Sequence, residues 1–121
     1  MKTYAMALDL IDASEVIEEY KKFHKNVWPE VKQGLLDIGI KEMKIFLSGN
    51  RLFMFLRTAA DFDLAQDFHS YTESSPRARE WDELMRGYQK KVPAAASEEW
   101  WSPMEEVFDL SWTVTEYQLN D

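Results

Sequence analysis

Ile40-Lys41-Glu42-Met43-Lys44-Ile45-Phe46-Leu47 and Leu52-Phe53-Met54-Phe55-Leu56-Arg57-Thr58, joined by Ser48-Gly49-Asn50-Arg51, form the stretch that decides the fold. Both runs are apolar and strand-like, and the joint carries Gly and Asn, which supply the positive φ that a tight hairpin turn requires. The two runs are therefore expected to pair antiparallel. Upstream of them, Tyr4, Met6, Leu8 and Leu10 lie on one side of a period-two pattern with Ala5 and Ala7 on the other, an opening strand that ends between Asp9 and Asp12. Ser14 is placed to cap a helix in which Val16, Ile17, Tyr20, Phe23, His24, Val27 and Trp28 keep helical spacing. Pro29 either ends that helix or opens a second one at its N1 position, with Val31, Leu35 and Leu36 inward and Gly39 closing it.

Downstream, Asp61 to Tyr71 reads as a short helix carrying Phe62, Leu64, Ala65 and Phe68. After Ser74-Ser75-Pro76 a longer helix carries Ala78, Trp81, Leu84, Met85 and Tyr88. Val92-Pro93-Ala94-Ala95-Ala96-Ser97 breaks the pattern, and Met104 to Trp112 returns to alternation as a last strand. The order strand, helices, strand, strand, helices, strand is the split βαβ of a ferredoxin-like α+β fold with a four-stranded antiparallel sheet. Residues 1–112 read as one domain and residues 113–121 as a C-terminal tail. Such a sheet covers only one face with its own helices. A second copy of the chain is expected on the other, giving a homodimer and a dimeric α/β barrel with the ligand pocket near the sheet.

The composition narrows the partners. Twenty-two acidic against fourteen basic residues leave a net charge of −8, which repels a polyanion, so nucleic acid is not expected. The absence of cysteine removes disulfides, thiolate metal sites and a cysteine nucleophile. The two histidines make no His-x-x-x-His pair, and the four glycines are scattered, so neither a metal-ligand pattern nor a phosphate-binding loop is visible. The opening residues carry one positive charge and an apolar run broken by Asp9, too short for a signal peptide or a membrane span. The expectation is a cytoplasmic protein that engages no membrane. The aromatic share of 14% is high for so short a chain, enough for rings in a pocket or subunit contact as well as in the core.

Tyr20, His24 and Trp28 recur every four residues near the end of the first helix, which can set a phenol, an imidazole and an indole along one side of it. An imidazole titrates near neutral pH and both gives and takes a proton, and an aromatic face beside it suits the C–H face of a sugar or another flat, partly apolar ligand. Trp28, just before Pro29, reads as packing at a helix junction, and His69 as a residue of a solvated helix end. The charge runs at Glu15, Glu18 and Glu19, Glu98-Glu99 and Glu105-Glu106 read as solvated faces.

Glu19-Tyr20 through His24 to Val27-Trp28-Pro29-Glu30 resembles the E-Y-x-x-x-H-x-x-x-W-P-E signature of the L-rhamnose mutarotases. Gly39-Ile40, Asn50-Arg51-Leu52-Phe53, Trp81 with Met85, and Glu105-Glu106-Val107-Phe108 with Leu110 fall in that family's order, so the resemblance covers most of the chain. It implies a dimeric ferredoxin-like domain that interconverts the α and β anomers of a 6-deoxy-L-sugar without cofactor or metal. It also implies His24 as the proton donor, Tyr20 as the pocket tyrosine beside it, and Trp81 as the helix-borne indole against the sugar. Trp101 is expected to add a wall from the segment before the last strand. Rhamnose-type members carry a second tryptophan after that indole, and this chain has Asp82. Trp81-Asp82-Glu83-Leu84-Met85, Tyr88-Gln89, Val92-Pro93 and Trp100 or Trp101 ahead of the last strand are more similar to the branch associated with L-fucose. L-fucose is accordingly expected ahead of L-rhamnose. The same scaffold would also serve a non-catalytic ligand-binding or dimerisation module, or a small cofactorless oxygenase, since a fold does not itself imply activity.

Overall fold

The computed structural model describes residues 1–113. The elements follow in the order β1 (Lys2–Leu10), α1 (Ser14–Lys25), α2 (Pro29–Asp37), β2 (Ile40–Ser48), β3 (Arg51–Thr58), α3 (Leu64–Ser74), α4 (Pro76–Arg86), β4 (Gln89–Lys90) and β5 (Ser102–Pro103). The sheet is antiparallel, in the order β2-β3-β1-β4, with β5 also paired to β1. This is the ferredoxin-like arrangement expected from the order of the elements.

The hairpin forms as its turn chemistry dictates, with one refinement. Ser48 pairs with Arg51 across a two-residue turn in which Gly49 alone takes positive φ, at 61°. Positive φ at the first central position is the requirement of a type II′ turn, and Asn50 is free for another task. Its side-chain amide donates to the Leu10 carbonyl at 3.0 Å and its own carbonyl accepts from the Leu10 N–H at 2.7 Å, which ties the end of β1 to the turn. Gly39 closes α2 at φ 105°, a backbone state that only glycine adopts without strain.

Register then sorts the side chains. Tyr4, Met6 and Leu8 lie opposite Leu56, Met54 and Leu52, and Met43 and Ile45 lie opposite Leu56 and Met54, so one face of the sheet is a continuous apolar surface. The helices cover that face: Phe62, Leu64 and Phe68 gather over Met6, Met54 and Leu56, while Tyr20, Trp81 and Met85 gather around Leu10 and Leu52. Each large side chain fully buried here contributes roughly 1.5–3 kcal/mol. The opposite face pairs Ala5 with Phe55 and Ala7 and Phe46 with Phe53, and none of the helices among the described residues packs on it; Phe46 and Phe53 remain 55% and 36% exposed.

Helix ends follow the local chemistry, not always at the residues expected. Pro29 opens α2, and Ser75 caps α4 by accepting from the Ala78 N–H. Ser14 is not a cap: the extended Ala13 precedes the helix, and the Ser14 hydroxyl turns to the Glu15 carboxylate. The third helix begins at Leu64 because Asp63, not Asp61, caps it through the Gln66 N–H. Tyr88 falls beyond α4, and Leu36 points to solvent at 59% exposure while Val31 and Leu35 face inward.

The last strand differs most from expectation. Met104 to Trp112 does not form one; the edge beside β1 is shared by two short pieces, Gln89–Lys90 opposite Leu10 and Asp9, and Ser102–Pro103 opposite Ala7 and Met6. Pro103 has no N–H to give, which suits an edge position, and one further bond from the Met104 N–H to the Ala5 carbonyl ends the pairing. Val107, Phe108 and Leu110 are 79%, 69% and 88% exposed, so the alternation marks apolar side chains that need cover without a strand among the described residues to provide it. Of the expected tail, residues 114–121 lie outside the described residues. Among the described residues no helix is long and apolar enough to cross a membrane.

Candidate active site

The last turns of α1 carry the first two site residues. Tyr20 and His24, one helical turn apart, stack with ring centroids 4.2 Å apart at 30°. His24 Nδ1 lies 2.9 Å from the Tyr20 carbonyl oxygen. A carbonyl only accepts, so Nδ1 carries the proton of the neutral ring and Nε2 is left as the basic atom. Burial lowers the His24 pKa from its ordinary value, with the Tyr20 carbonyl acting in the other direction, and the ring is uncharged at neutral pH. Tyr20 is 4% exposed. Its burial pushes the phenol up to about 12, against a smaller opposing effect of the Gln89 side chain, so it keeps its proton at neutral pH.

Helix α4 brings the indole. Trp81 meets His24 edge-on at 5.4 Å, Phe23 at 6.1 Å and Trp28 at 5.2 Å. Trp28 stands at the N-terminus of α2 and fastens the helix junction: the Arg77 guanidinium lies 3.8 Å over its ring and is ion-paired with Glu30 and Glu80. Trp28 does not line the cavity described next, in keeping with its expected packing role.

A cavity of about 1090 Å³ opens between the helices and the inner face of the sheet. Tyr20, His24, Trp81 and Trp101 all line it, so the four residues singled out from the sequence come together around one space. Met6, Met43, Ile45, Met54 and Met85 supply its apolar floor, and Trp101 also packs against both halves of the core. His69 is exposed at the rim. The mixture of an apolar bowl, one uncharged imidazole and a few polar groups is what a small polar ring compound with an apolar face requires.

Other lining groups were not assigned to the pocket from the sequence. Gln89, 8% exposed, accepts from the Trp100 indole N–H at 2.7 Å. Trp100 in turn lies under the Arg86 guanidinium at 4.8 Å, and Arg86 is ion-paired with Asp82 at 2.9 Å. Gln89, Trp100, Arg86 and Asp82 all border the cavity. The contact of Gln89 with a residue eleven positions on was not visible in the sequence. A second, shallower hollow of about 620 Å³ over α2 and α3 is bordered by Glu30, Asp37 and Tyr71 and holds no imidazole.

The comparisons with known proteins bear on this site. Residues 3–110 match the family model described as L-rhamnose mutarotase. A Dictyostelium discoideum protein is 57% identical over 114 residues, covering 92% of this chain and 91% of the relative. The L-fucose mutarotase of Xanthomonas campestris pv. campestris is 36% identical over 120 residues, covering 98% of this chain and 95% of that enzyme. Among solved structures, the L-rhamnose mutarotase of Formosa agariphila superposes with a TM-score of 0.67 at 26% identity, over 91% of this chain and 99% of its own.

Proposed function

The chain belongs to the L-rhamnose mutarotase family, an isomerase family acting on carbohydrates, and on that premise we propose that it interconverts the α and β anomers of a 6-deoxy-L-hexose, L-fucose ahead of L-rhamnose, with His24 moving the proton. Family membership sets aside the non-catalytic and oxygenase readings. The observation that carries the proposal is the neutral His24 ring, fastened through Nδ1 to the Tyr20 carbonyl, in a cavity walled by Trp81.

Ring opening moves one proton between two oxygens on the same carbon. His24 Nε2 takes the proton of the anomeric hydroxyl, the C1–O bond to the ring oxygen breaks as the C1=O bond forms, and the imidazolium returns that proton to the ring oxygen. Rotation about the C1–C2 bond exposes the other face of the aldehyde, and the reverse transfers close it. No covalent adduct forms, and the side chain ends each cycle as it began. A group titrating near neutrality serves both directions, and such positioned acid–base catalysis supplies about a hundredfold to ten-thousandfold in rate. Tyr20, protonated, orients the sugar through its hydroxyl, while Trp81 and Trp101 hold the sugar's less polar face.

L-fucose is preferred on two grounds. The Xanthomonas campestris enzyme named for it matches nearly the whole chain, and Asp82 stands where rhamnose-type members carry a second tryptophan. The two sugars differ at ring hydroxyls, and a site built to pair one pattern leaves polar groups unpaired with the other. The acting unit is a homodimer, supported by the uncovered sheet face of Phe46, Phe53 and Phe55 and by the apolar side chains at Val107, Phe108 and Leu110. Saturation-transfer NMR of the anomeric protons at equilibrium tests the activity. Catalytic amounts of protein should accelerate α/β exchange, of L-fucose more than of L-rhamnose; no acceleration of either by the folded protein refutes the proposal.

A further inference from the structure

Gln89 sits where the chain leaves α4, and its stretch of backbone is fixed twice: it pairs with Leu10 at the edge of β1, and the preceding Tyr88 carbonyl accepts from the Ile11 N–H at 2.9 Å. The residue is 8% exposed, more than nine-tenths buried, and borders the cavity. Its neighbour settles which end of the amide is which. An indole N–H only donates, and Trp100 Nε1 lies 2.7 Å from Oε1, so the oxygen faces Trp100 and the NH₂ end points away from it. No hydrogen bond among the described residues takes up that nitrogen. None of their side-chain nitrogens is both sealed in and unpartnered, so this one stands open to the cavity that Gln89 lines. Leu10, the strand partner of Gln89, packs in one group with Tyr20 and Trp81, and those two rings flank His24, so the amide enters the cavity near the imidazole.

We infer that Gln89 is a substrate-binding residue whose NH₂ group donates to a ring hydroxyl of the sugar, held in the donating orientation by Trp100. The inference rests on the sugar mutarotase reading of the site and adds a contact to it. A donor withdrawn from bulk water is costly to leave without an acceptor, and the hydroxyl of a sugar seated against Trp81 supplies one. The amide is not free to invert, because turning it over would set NH₂ against an N–H and leave the indole without its acceptor. Trp100 is steadied in turn: Arg86 lies 4.8 Å over its ring, and Asp82 accepts from Arg86 at 2.9 Å. Toward the cavity Gln89 therefore presents donors only. A stereoisomer that turns the matching hydroxyl away leaves that donor unpaired, which makes the amide a discriminating contact.

The contact is testable without turnover. In NMR spectra of the isotope-labelled full-length protein, titration with L-fucose should move the Gln89 side-chain NH₂ resonances saturably, with the same midpoint as the Trp81 indole; resonances that stay put at saturating sugar overturn the inference. Gln89→Met keeps the length of the side chain and removes the donors. It should raise KM for anomer exchange of L-fucose by about tenfold, the weight of one hydrogen bond, with a smaller effect on kcat. Analogues of L-fucose lacking the hydroxyl on C2, on C3 or on C4 locate the acceptor: for one of them wild-type protein should already show the same loss, and Gln89→Met should add nothing to it. A Gln89→Met variant with the wild-type KM, or losses that multiply for every analogue, overturn the inference.

Gln89→Met also takes the acceptor from the Trp100 indole. Should that variant fail to fold, Trp100→Phe keeps a ring under Arg86 and only releases the amide to turn; it should raise KM by a smaller factor, and an unchanged KM overturns the inference. Failure of the activity reads differently. Wild-type protein whose Gln89 resonances move with L-fucose but which accelerates no exchange refutes the mutarotase reading and keeps the sugar contact, whereas acceleration with unmoved resonances refutes the contact alone.

Discussion

Replacing His24 by Asn isolates the atom on which the proposed chemistry depends. An asparagine amide can still donate to the Tyr20 carbonyl, where His24 Nδ1 now lies at 2.9 Å, but it offers no titratable nitrogen at the Nε2 position. Loss of acid–base catalysis should slow anomer exchange by about a hundredfold to ten-thousandfold. The stability effect is separate and smaller. Ring contacts with Tyr20 at 4.2 Å and Trp81 at 5.4 Å disappear. At about 0.5–1.5 kcal/mol for each aromatic pair the cost is roughly 1–3 kcal/mol. For a chain of this length that lowers Tm by about 4–12 °C, leaving a folded protein to assay at 25 °C.

The pH profile supplies the sharper signature. Burial lowers the His24 pKa, so the wild-type ring stays neutral on acidification past the ordinary histidine value of 6.5, and exchange should decline only below that point. Linkage has the same sign. Between the folded pKa and the unfolded one, the unfolded chain binds the additional proton. The stability that follows is complete above about pH 6.5 and is lost as pH falls toward the folded pKa. In His24→Asn both dependences on this group should vanish. A variant that exchanges anomers at the wild-type rate, or a wild-type rate that already falls on acidification above pH 6.5, would refute the role given to His24.

Three further outcomes follow from the packing. Gly34→Ala, which in an open helix gains about 1 kcal/mol, should here lower Tm in calorimetry, because the new Cβ would crowd the Tyr71 ring while Tyr71 holds its hydroxyl bond to the Val31 carbonyl; overpacking of this kind costs about 1–3 kcal/mol, and a raised Tm would show that the ring yields freely. Trp81→Ala removes the indole from both the cavity wall and the His24 ring, and should raise KM by about tenfold or more from lost apolar contact; an unchanged KM would remove Trp81 from the binding wall. Phe53→Glu places a charge at the centre of the uncovered sheet face, opposite Ala7 and Phe46, and sedimentation equilibrium should then report a monomer; an unaltered mass would place the subunit contact elsewhere.

What was legible in the sequence was what local chemistry and short periods encode. Gly49 and the alternation around it specify the hairpin before any tertiary contact is known, and spacing by four places Tyr20 beside His24 because one helix carries both. The final strand was misread because alternation reports a demand for cover and not its source: Val107, Phe108 and Leu110 alternate much as a strand does, yet remain exposed, while the edge of β1 is filled by Gln89–Lys90 and Ser102–Pro103. Two residues on each side of an intervening loop leave no period to detect. The contact between Gln89 and Trp100 escaped for a related reason. Their partnership depends on how the loop from Lys91 to Trp101 returns to the sheet, and neighbouring tryptophans look alike until one is turned to Gln89 and the other to the core.

That loop also changes how the residue at position 82 should be understood. If Asp82 acted alone, its replacement of a tryptophan would simply shorten one wall of the cavity. Its carboxylate instead holds Arg86, Arg86 covers Trp100, and Trp100 donates its indole N–H to Gln89, so the position is linked to the far lining of the cavity through three intermediaries. The Asp82–Arg86 pair is largely solvated, and pairs of that kind contribute little to stability. Its value lies in geometry: it limits where the guanidinium, and hence the indole beneath it, can sit. A tryptophan introduced at position 82 would therefore do two things at once, adding an aromatic surface and releasing Arg86 from its anchor. On the function proposed above, substrate preference would be set by the linked group Asp82, Arg86, Trp100 and Gln89, and exchanging Asp82 alone should weaken turnover of L-fucose without conferring efficient turnover of L-rhamnose.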